Sequence, residues 1–308
     1  MPCPYTIVVK LRISIVEYLN TAPLVRGFTH GPLAGKYDLS FTVPSQCAEA
    51  LRSEAADIAI IPAIEYQRIP ELVVLPDLAI ASQQRVRSLL ILAKKPMEQV
   101  QSIALDRSSR STQALTRILA DRHWKIAAEF AESEPDLRAM LARADAAMII
   151  GDPALRLAMA IEKNSAVGPE GRAVCRAETL GLAGPEILHV YDVVGEWRRL
   201  TGLPAVLAIW AGRREVVSPE VAADFVTSRD YGLLSIGDIS AEAAQELELP
   251  ARELEAYLRQ NIDFHLGEEN RRGLERYFDE AARLGLIERA KKLEWAGVVK
   301  EAARIQVK

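Results

Sequence analysis

The chain has 308 residues, 49% of them hydrophobic and 26% charged, with a formal net charge of −4 at pH 7. That length accommodates about two domains, each with a core of its own, and the composition excludes a disordered or fibrous chain. Lys and Arg are dispersed, which excludes the basic stripe of a nucleic-acid binder. No run of about 18 apolar residues exists and Met1 to Val16 lacks the pattern of an export signal, so a cytoplasmic chain bound to no membrane is expected.

In chain order, strands are predicted at Leu11–Val16, Leu39–Val43, Asp57–Ile61, Ser88–Leu92, Ser102–Ala104, Ala146–Ile150 and Ala205–Trp210, each a short run rich in Val, Ile or Leu. Helical patterns fall between them, at Cys47–Ala55, Thr112–Asp121 and Pro135–Arg143. This alternation argues for an α/β architecture. The last third reads as amphipathic helices at Pro219–Thr227, Ala241–Glu246, Ala251–Gln260, Glu268–Leu284 and Ile287–Ile305, with Ser218 as cap and Pro219 at the first helical position. Break signals at Leu92–Pro96 and Gly202–Ala205 bracket a central block. The expected organisation is therefore a discontinuous first lobe, 1–94 plus 205–308, carrying an inserted second lobe, 95–204, with a ligand cleft between them.

Three strand-to-helix junctions carry the chemistry. Tyr18-Leu19-Asn20-Thr21-Ala22-Pro23-Leu24 follows the first strand almost without linker, with Asn20 or Thr21 as cap and Pro23 in the first turn. Unpaired amides and the positive end of a helix dipole make such a junction an anion pocket, so a small anionic ligand is expected. Asp106-Arg107-Ser108-Ser109-Arg110-Ser111-Thr112 forms a second junction, whose hydroxyls exceed what one cap uses and whose arginines suit a carboxylate. Ser109, Arg110, Ser111 and Thr112 are its candidate ligands, with Arg107 solvated. At Ile149-Ile150-Gly151-Asp152-Pro153, Gly151 permits close backbone approach, and Asp152 either caps its own helix or faces the cleft. Ser45 and Pro62 flank the buried segment Cys47–Ile61 as weaker candidates, and Ser88 precedes a strand where its hydroxyl either faces the cleft or pairs with backbone.

Other chemistries lack their signatures. Cys3, Cys47 and Cys175 are odd in number and widely spaced, which suits reduced thiols. His30, His123, His189 and His265 are scattered, no CxxC or HExxH occurs, and no GxSxG, P-loop or GxGxxG is present. Neither metal nor cofactor is expected, and the histidines read as hydrogen-bonded structural residues.

The junction motifs, with Cys47-Ala48, Asp57-Ile58-Ala59 to Ile64-Glu65-Tyr66, Val86-Arg87-Ser88, Gly151-Asp152-Pro153-Ala154-Leu155 and Trp197 to Trp210, resemble in order the chorismate dehydratases of the futalosine route to menaquinone. Tyr-Leu-Asn-Thr and Asp-Arg-Ser-Ser-Arg carry most of that resemblance. Val193-Val194 after Tyr191-Asp192, and Ala205 where the family has an aromatic, depart from it. The resemblance implies a two-lobed type II periplasmic-binding-protein fold and the loss of water from chorismate to give 3-[(1-carboxyvinyl)oxy]benzoate. It further implies that the substrate's own enolpyruvyl carboxylate takes the ring proton. Asn20, beside Thr21, would orient that carboxylate, Ser88 would hydrogen-bond the substrate, and Ser109, Arg110, Ser111 and Thr112 would hold the other carboxylate. The rival readings are a non-catalytic solute receptor and the dihydroxynaphthoate-forming enzyme of the same route, which calls for a His base in the cleft. Oligomeric state and the amplitude of lobe closure are not legible.

Overall fold

The computed structural model describes residues 10–167, 172–183 and 187–297. Two mixed sheets organise them. The first, ordered β2-β1-β3-β12-β4, combines β1 (Arg12–Val16), β2 (Asp38–Thr42), β3 (Ile58–Pro62) and β4 (Leu72–Ser82) with β12 (Ala205–Arg213) from much later in the chain. Strands β1, β2 and β3 run parallel, whereas β12 is antiparallel to both β3 and β4. The second sheet, ordered β7-β6-β8-β5-β11-β10-β9, uses β5 (Leu89–Ala93), β6 (Ser102–Asp106), β7 (Glu129–Ser133), β8 (Ala146–Ile150), β9 (Ala166–Val167), β10 (Ala173–Arg176) and β11 (Ile187–Asp192).

The chain crosses between the sheets twice, at 83–88 and through α7 (Val193–Thr201). One buried carboxylate ties the two crossings together. Asp192 caps α7 at Gly195 N (3.0 Å) and also accepts the amides of Val86 and Arg87, at 3.0 and 2.7 Å. Trp197 on α7 is fully buried, with its indole N–H on the Pro204 carbonyl at 3.0 Å and its ring edge-on to Tyr277.

Helices α1 (Ala22–Thr29), α2 (Pro44–Arg52), α4 (Arg110–Leu119) and α6 (Gly151–Asn164) each begin directly after a strand or a short turn, as their Pro, Ser and Gly starts dictate. Of the C-terminal helices α8 (Pro219–Leu234), α9 (Ile236–Leu247), α10 (Ala251–Gln260) and α11 (Glu268–Arg283), α8 packs on β4 and α1, α11 on β12, and α9 on α1 and α10. Helix α8 lies so close to α1 that a Cβ on Gly232 would stand 1.8 Å from the Pro23 carbonyl oxygen, so only glycine lets α8 support the start of α1 there.

Several expectations need correction. Strands β4, β7, β9, β10 and β11 were not expected. β4 hides behind Pro76 and the left-handed Asp77 (φ 57°), tolerable because β4 is an edge strand of its sheet. β7 (EFAES) is a polar edge strand. The segment beginning at Ile287 is not helical up to Gly297: it runs extended and satisfies the open edge of β4, with Val74 N on Glu294 O at 2.7 Å and Ala296 N on Val74 O at 2.9 Å. The rest of the helix expected up to Ile305 lies outside the described residues, as does Cys3. Cys47 and Cys175 are free and buried.

Candidate functional site

The turn after β1 docks onto the start of α6. Tyr18 is extended, Leu19–Thr21 form one 3-10 turn, and Thr21 holds the N-cap position of α1 without a side-chain capping bond, so neither Asn20 nor Thr21 caps as expected. Leu19 N instead donates to Asp152 at the start of α6, at 3.2 and 3.3 Å from its two oxygens. Asp152 therefore does not cap its own helix; burial pushes its carboxyl up to about 6, the Leu19 amide and Arg156 only partly opposing this. Gly151 has φ +69°, and a Cβ there would meet the Tyr18 ring at 2.7 Å, so the close approach of turn and helix depends on this glycine. Its amide donates to the Ser88 carbonyl at 2.8 Å.

Asn20 and Ser88 converge on a residue that sequence reasoning missed. Tyr257, on α10 and 1% exposed, donates its phenol proton to Ser88 Oγ at 2.8 Å and also hydrogen-bonds Asn20. With that proton spent on Ser88, the Asn20 contact uses an amide N–H as donor. Thr21 Oγ1 donates to Asn20 Oδ1 at 3.4 Å, which fixes the carboxamide and leaves one Asn20 N–H and the Ser88 hydroxyl proton without an acceptor among the described residues. The only sequence signal for Tyr257 is a phenol on the apolar face of an amphipathic helix, a pattern common in ordinary cores.

The second junction is more fully engaged in the fold than its hydroxyl count suggests. Ser108 gives both N–H and Oγ–H to Asp106 Oδ1, at 2.9 and 2.6 Å, and receives the Tyr18 phenol and, on its carbonyl, the Ser45 amide at 3.1 Å. Burial raises the Asp106 carboxyl in spite of the Ser108 bonds. Ser109 caps α4 by accepting Thr112 N and donates to Thr112 Oγ1 at 2.7 Å, which leaves the Thr112 proton free for a ligand. Ser111 Oγ accepts Ile64 N at 3.2 Å, and its carbonyl accepts the Tyr277 phenol at 3.1 Å. Arg110 is paired with Glu65 at 2.9 Å, alongside Arg68 and Arg52. Burial of Glu65 raises its pKa, but the guanidiniums of Arg68, Arg110 and Arg52 outweigh this and hold it below the usual range.

Asn20, Ser88, Ser109, Ser111 and Thr112 are thus all under 9% exposed, while Ser45 and Asp152 are half-buried. Tyr18, in the first junction, touches the third at Gly151 with its ring and the second at Ser108 with its hydroxyl. The N-termini of α1, α2, α4 and α6 meet around this contact, concentrating amide dipoles and uncharged donors. A cavity of about 360 Å³ abuts the turn at Tyr18, Leu19, Ala22 and Asp152 but is not lined by Asn20, Ser88 or Ser109. His123 Nε2 is bound to Glu196 at 2.9 Å and His189 lies in β11, whereas His30 lines the 360 Å³ cavity. Among the described residues no cluster of His, Cys, Asp and Glu could hold a metal ion, and no helix is long and apolar enough to cross a membrane.

Known proteins resemble this chain in both sequence and fold. A family model for menaquinone biosynthesis matches residues 11–283. The chain is 25% identical over 276 residues to the chorismate dehydratase of Thermus thermophilus, covering 89% of this chain and 95% of that protein. A protein of Archaeoglobus fulgidus superposes with a TM-score of 0.66 at 16% identity, covering 90% of this chain and 98% of its own. The aliphatic sulphonate binding protein of Escherichia coli does so with a TM-score of 0.57 at 17% identity, covering 96% and 99%. The fold is thus that of the periplasmic binding proteins. With a family match that runs from β1 to the last residue of α11, the chain belongs to the menaquinone-biosynthesis family.

Proposed function

We propose that this protein is a chorismate dehydratase, a hydro-lyase acting in the cytoplasm, with its site between lobes formed by 1–94 plus 205–308 and by 95–204. The observation that carries the reading is the Asn20–Tyr257–Ser88 cluster: a carboxamide and a hydroxyl, both locked by a buried phenol and both with a donor to spare. In the reaction the C3–H electron pair becomes the new ring π bond, the C4–O bond breaks, and the departing hydroxide and the C3 proton leave as water. Aromatisation drives this strongly downhill, so the protein's task is orientation and stabilisation of shifting charge. Asn20 orients the enolpyruvyl carboxylate that takes the proton, while Ser88 and Thr21 complete the polar wall. The amide end of α4, with Thr112 and its neighbours Ser109 and Ser111, receives the ring carboxylate. Arg110, already paired with Glu65, adds positive potential behind it rather than a direct clamp. Gly151, Asp152 and Ser45 hold the lobes together around the substrate.

Incubating the purified protein with chorismate and following the aromatic absorbance, with product mass lower by one water, tests the activity. Absence of turnover overturns it. Asn20→Asp sets a negative charge beside the substrate carboxylate and lowers the rate by orders of magnitude, and Ser88→Ala lowers it by about tenfold to a hundredfold, the loss of one hydrogen bond to a charged group. Parental rates in both variants would remove these residues from the mechanism.

A further inference from the structure

A second cavity, of about 380 Å³ and not lined by Asn20 or Ser88, holds five arginines against three carboxylates. Its position is unusual because it touches both crossings between the sheets: Arg85 and Arg87 belong to the first, Arg198 and Arg199 to the second. The arginines share the carboxylates around them, Arg87 also reaching Glu253 at 3.6 Å. Arg85 and Arg87 share Glu162, at 2.9 and 2.5 Å, and Arg172 and Arg199 share Glu196, at 2.8 and 3.9 Å. Asp192, the third carboxylate, is engaged by three backbone amides. Arg198 has a buried Nη1 that makes no hydrogen bond, its nearest carboxylate being Glu269 at 3.6 Å.

This concentration of guanidinium groups stands in a chain of net charge −4, so it is a local device and not a general basic surface. Guanidinium forks recognise carboxylate and phosphate oxygens in pairs, and a cavity of this size suits a small metabolite. Arg87 adds a reason for coupling. It is 6% exposed, takes a left-handed backbone (φ 64°) in a non-glycine residue, and immediately precedes Ser88.

We propose that this cavity is a binding site for a compact polyanion bearing two or more phosphate or carboxylate groups. By drawing Arg85 and Arg87 on one crossing and Arg198 and Arg199 on the other to a single ligand, it stiffens the hinge. Binding there does not depend on which reaction the Asn20 cluster performs.

Isothermal titration with pyrophosphate and with citrate, each at constant ionic strength against a chloride control, tests this on the full chain. The expected result is saturable one-site binding of at least one probe with a Kd below about 1 mM, weakened at least tenfold in the Arg198→Gln/Arg199→Gln double variant. Binding of pyrophosphate alone identifies phosphate chemistry, and binding of citrate alone identifies carboxylate chemistry. Should the double variant lose its fold by circular dichroism, Arg85→Gln, more than half exposed, supplies the same comparison. The proposal is overturned if neither probe binds beyond the chloride control, or if the folded variants bind as tightly as the parent.

Discussion

Replacing Asp152 by Asn isolates the energetics of the contact between the turn after β1 and the start of α6. The carboxylate accepts one amide, Leu19 N, and burial pushes its pKa from 3.8 up to about 6. A rise of about 2 units corresponds to roughly 3 kcal/mol at 1.36 kcal/mol per unit, an upper bound because part of the group reaches solvent. The folded pKa is the higher one, so the folded chain holds this proton more tightly than the unfolded chain. Stability from this group is complete below about pH 4, is lost as pH rises to about 6, and stays lost at neutral pH. Asp152→Asn keeps an oxygen for Leu19 N and removes the charge. The variant is therefore more stable than the parent at about pH 7.5, by up to about 3 kcal/mol, and its advantage shrinks as the pH falls toward 4. Urea unfolding of both chains across this range, read as the difference between them, cancels the other titrating groups. A difference that does not change with pH, or a parent more stable than the variant at about pH 7.5, refutes the assignment of a buried, desolvated carboxylate. In the proposed two-lobed arrangement, separating the lobes would rehydrate Asp152, so small-angle scattering of the parent is expected to show expansion between about pH 5 and 7.5 that Asp152→Asn lacks.

Three further substitutions probe the surrounding structure. Gly151→Ala imposes a left-handed backbone on a residue with a Cβ, costing about 1–2 kcal/mol, and pushes the Tyr18 ring off Ser108; a thermal melt shows a lower Tm, and an unchanged Tm would show that the turn tolerates a Cβ. Tyr257→Phe strips Asn20 and Ser88 of their shared partner, with about 1–3 kcal/mol lost from buried hydrogen bonding and kcat falling more than KM rises; a kcat equal to the parent's would deny the phenol any orienting role. Glu65→Gln leaves Arg52, Arg68 and Arg110 facing one another, with a cost of about 3 kcal/mol, toward the low end for a buried pair because these side chains are 34%, 37% and 32% exposed. Its pKa is held down, so the stability lost in the variant is present above the ordinary carboxylate range and disappears from the parent as the pH falls through it; equal urea midpoints at neutral pH would contradict this.

What was legible in the sequence is what periodicity and local junctions record. Ala146–Ile150 is a continuous apolar run and Arg12–Val16 carries Ile13, Ile15 and Val16 around a buried Ser14; they are followed by Gly-Asp-Pro and by Tyr-Leu-Asn-Thr, so their positions and exits follow from residue order. Glu129–Ser133 and Leu72–Ser82 lie at sheet edges, where charge and proline are admissible, and a reader of periodicity sees no strand there. The extended segment before Trp295 illustrates the same limit: an amphipathic pattern reads as a helix, yet the open edge of β4 captured its backbone. For the candidate site, the hydroxyls of the Asp106–Thr112 junction were visible but not their existing commitments, because Ile64 N and Arg110's partner Glu65 come from elsewhere in the chain. Tyr257 was invisible for the opposite reason. It reaches Asn20 from far down the sequence, and nothing local distinguishes it from a core tyrosine.

The distribution of charge around the cluster bears on the proposed chemistry. A substrate carboxylate that is to accept a proton must stay basic, and a guanidinium pressed against it would lower its pKa and weaken it as a base. Asn20 and Ser88, held by the Tyr257 phenol, are neutral donors that in the proposed site would fix such a group without removing its basicity. The arginines lie behind this layer, each already carrying a carboxylate: Arg110 with Glu65, and Arg87 with Glu162. Attraction of a dianion to a negatively charged protein then falls to helix N-termini and to these partly compensated pairs, which act over distance without contacting the reacting carboxylate. On this reasoning the two ends of the substrate are not interchangeable. The carboxylate that serves as base belongs beside Asn20, among neutral donors, and the spectator carboxylate belongs at the start of α4, where Arg110 deepens the potential and loss of basicity carries no penalty.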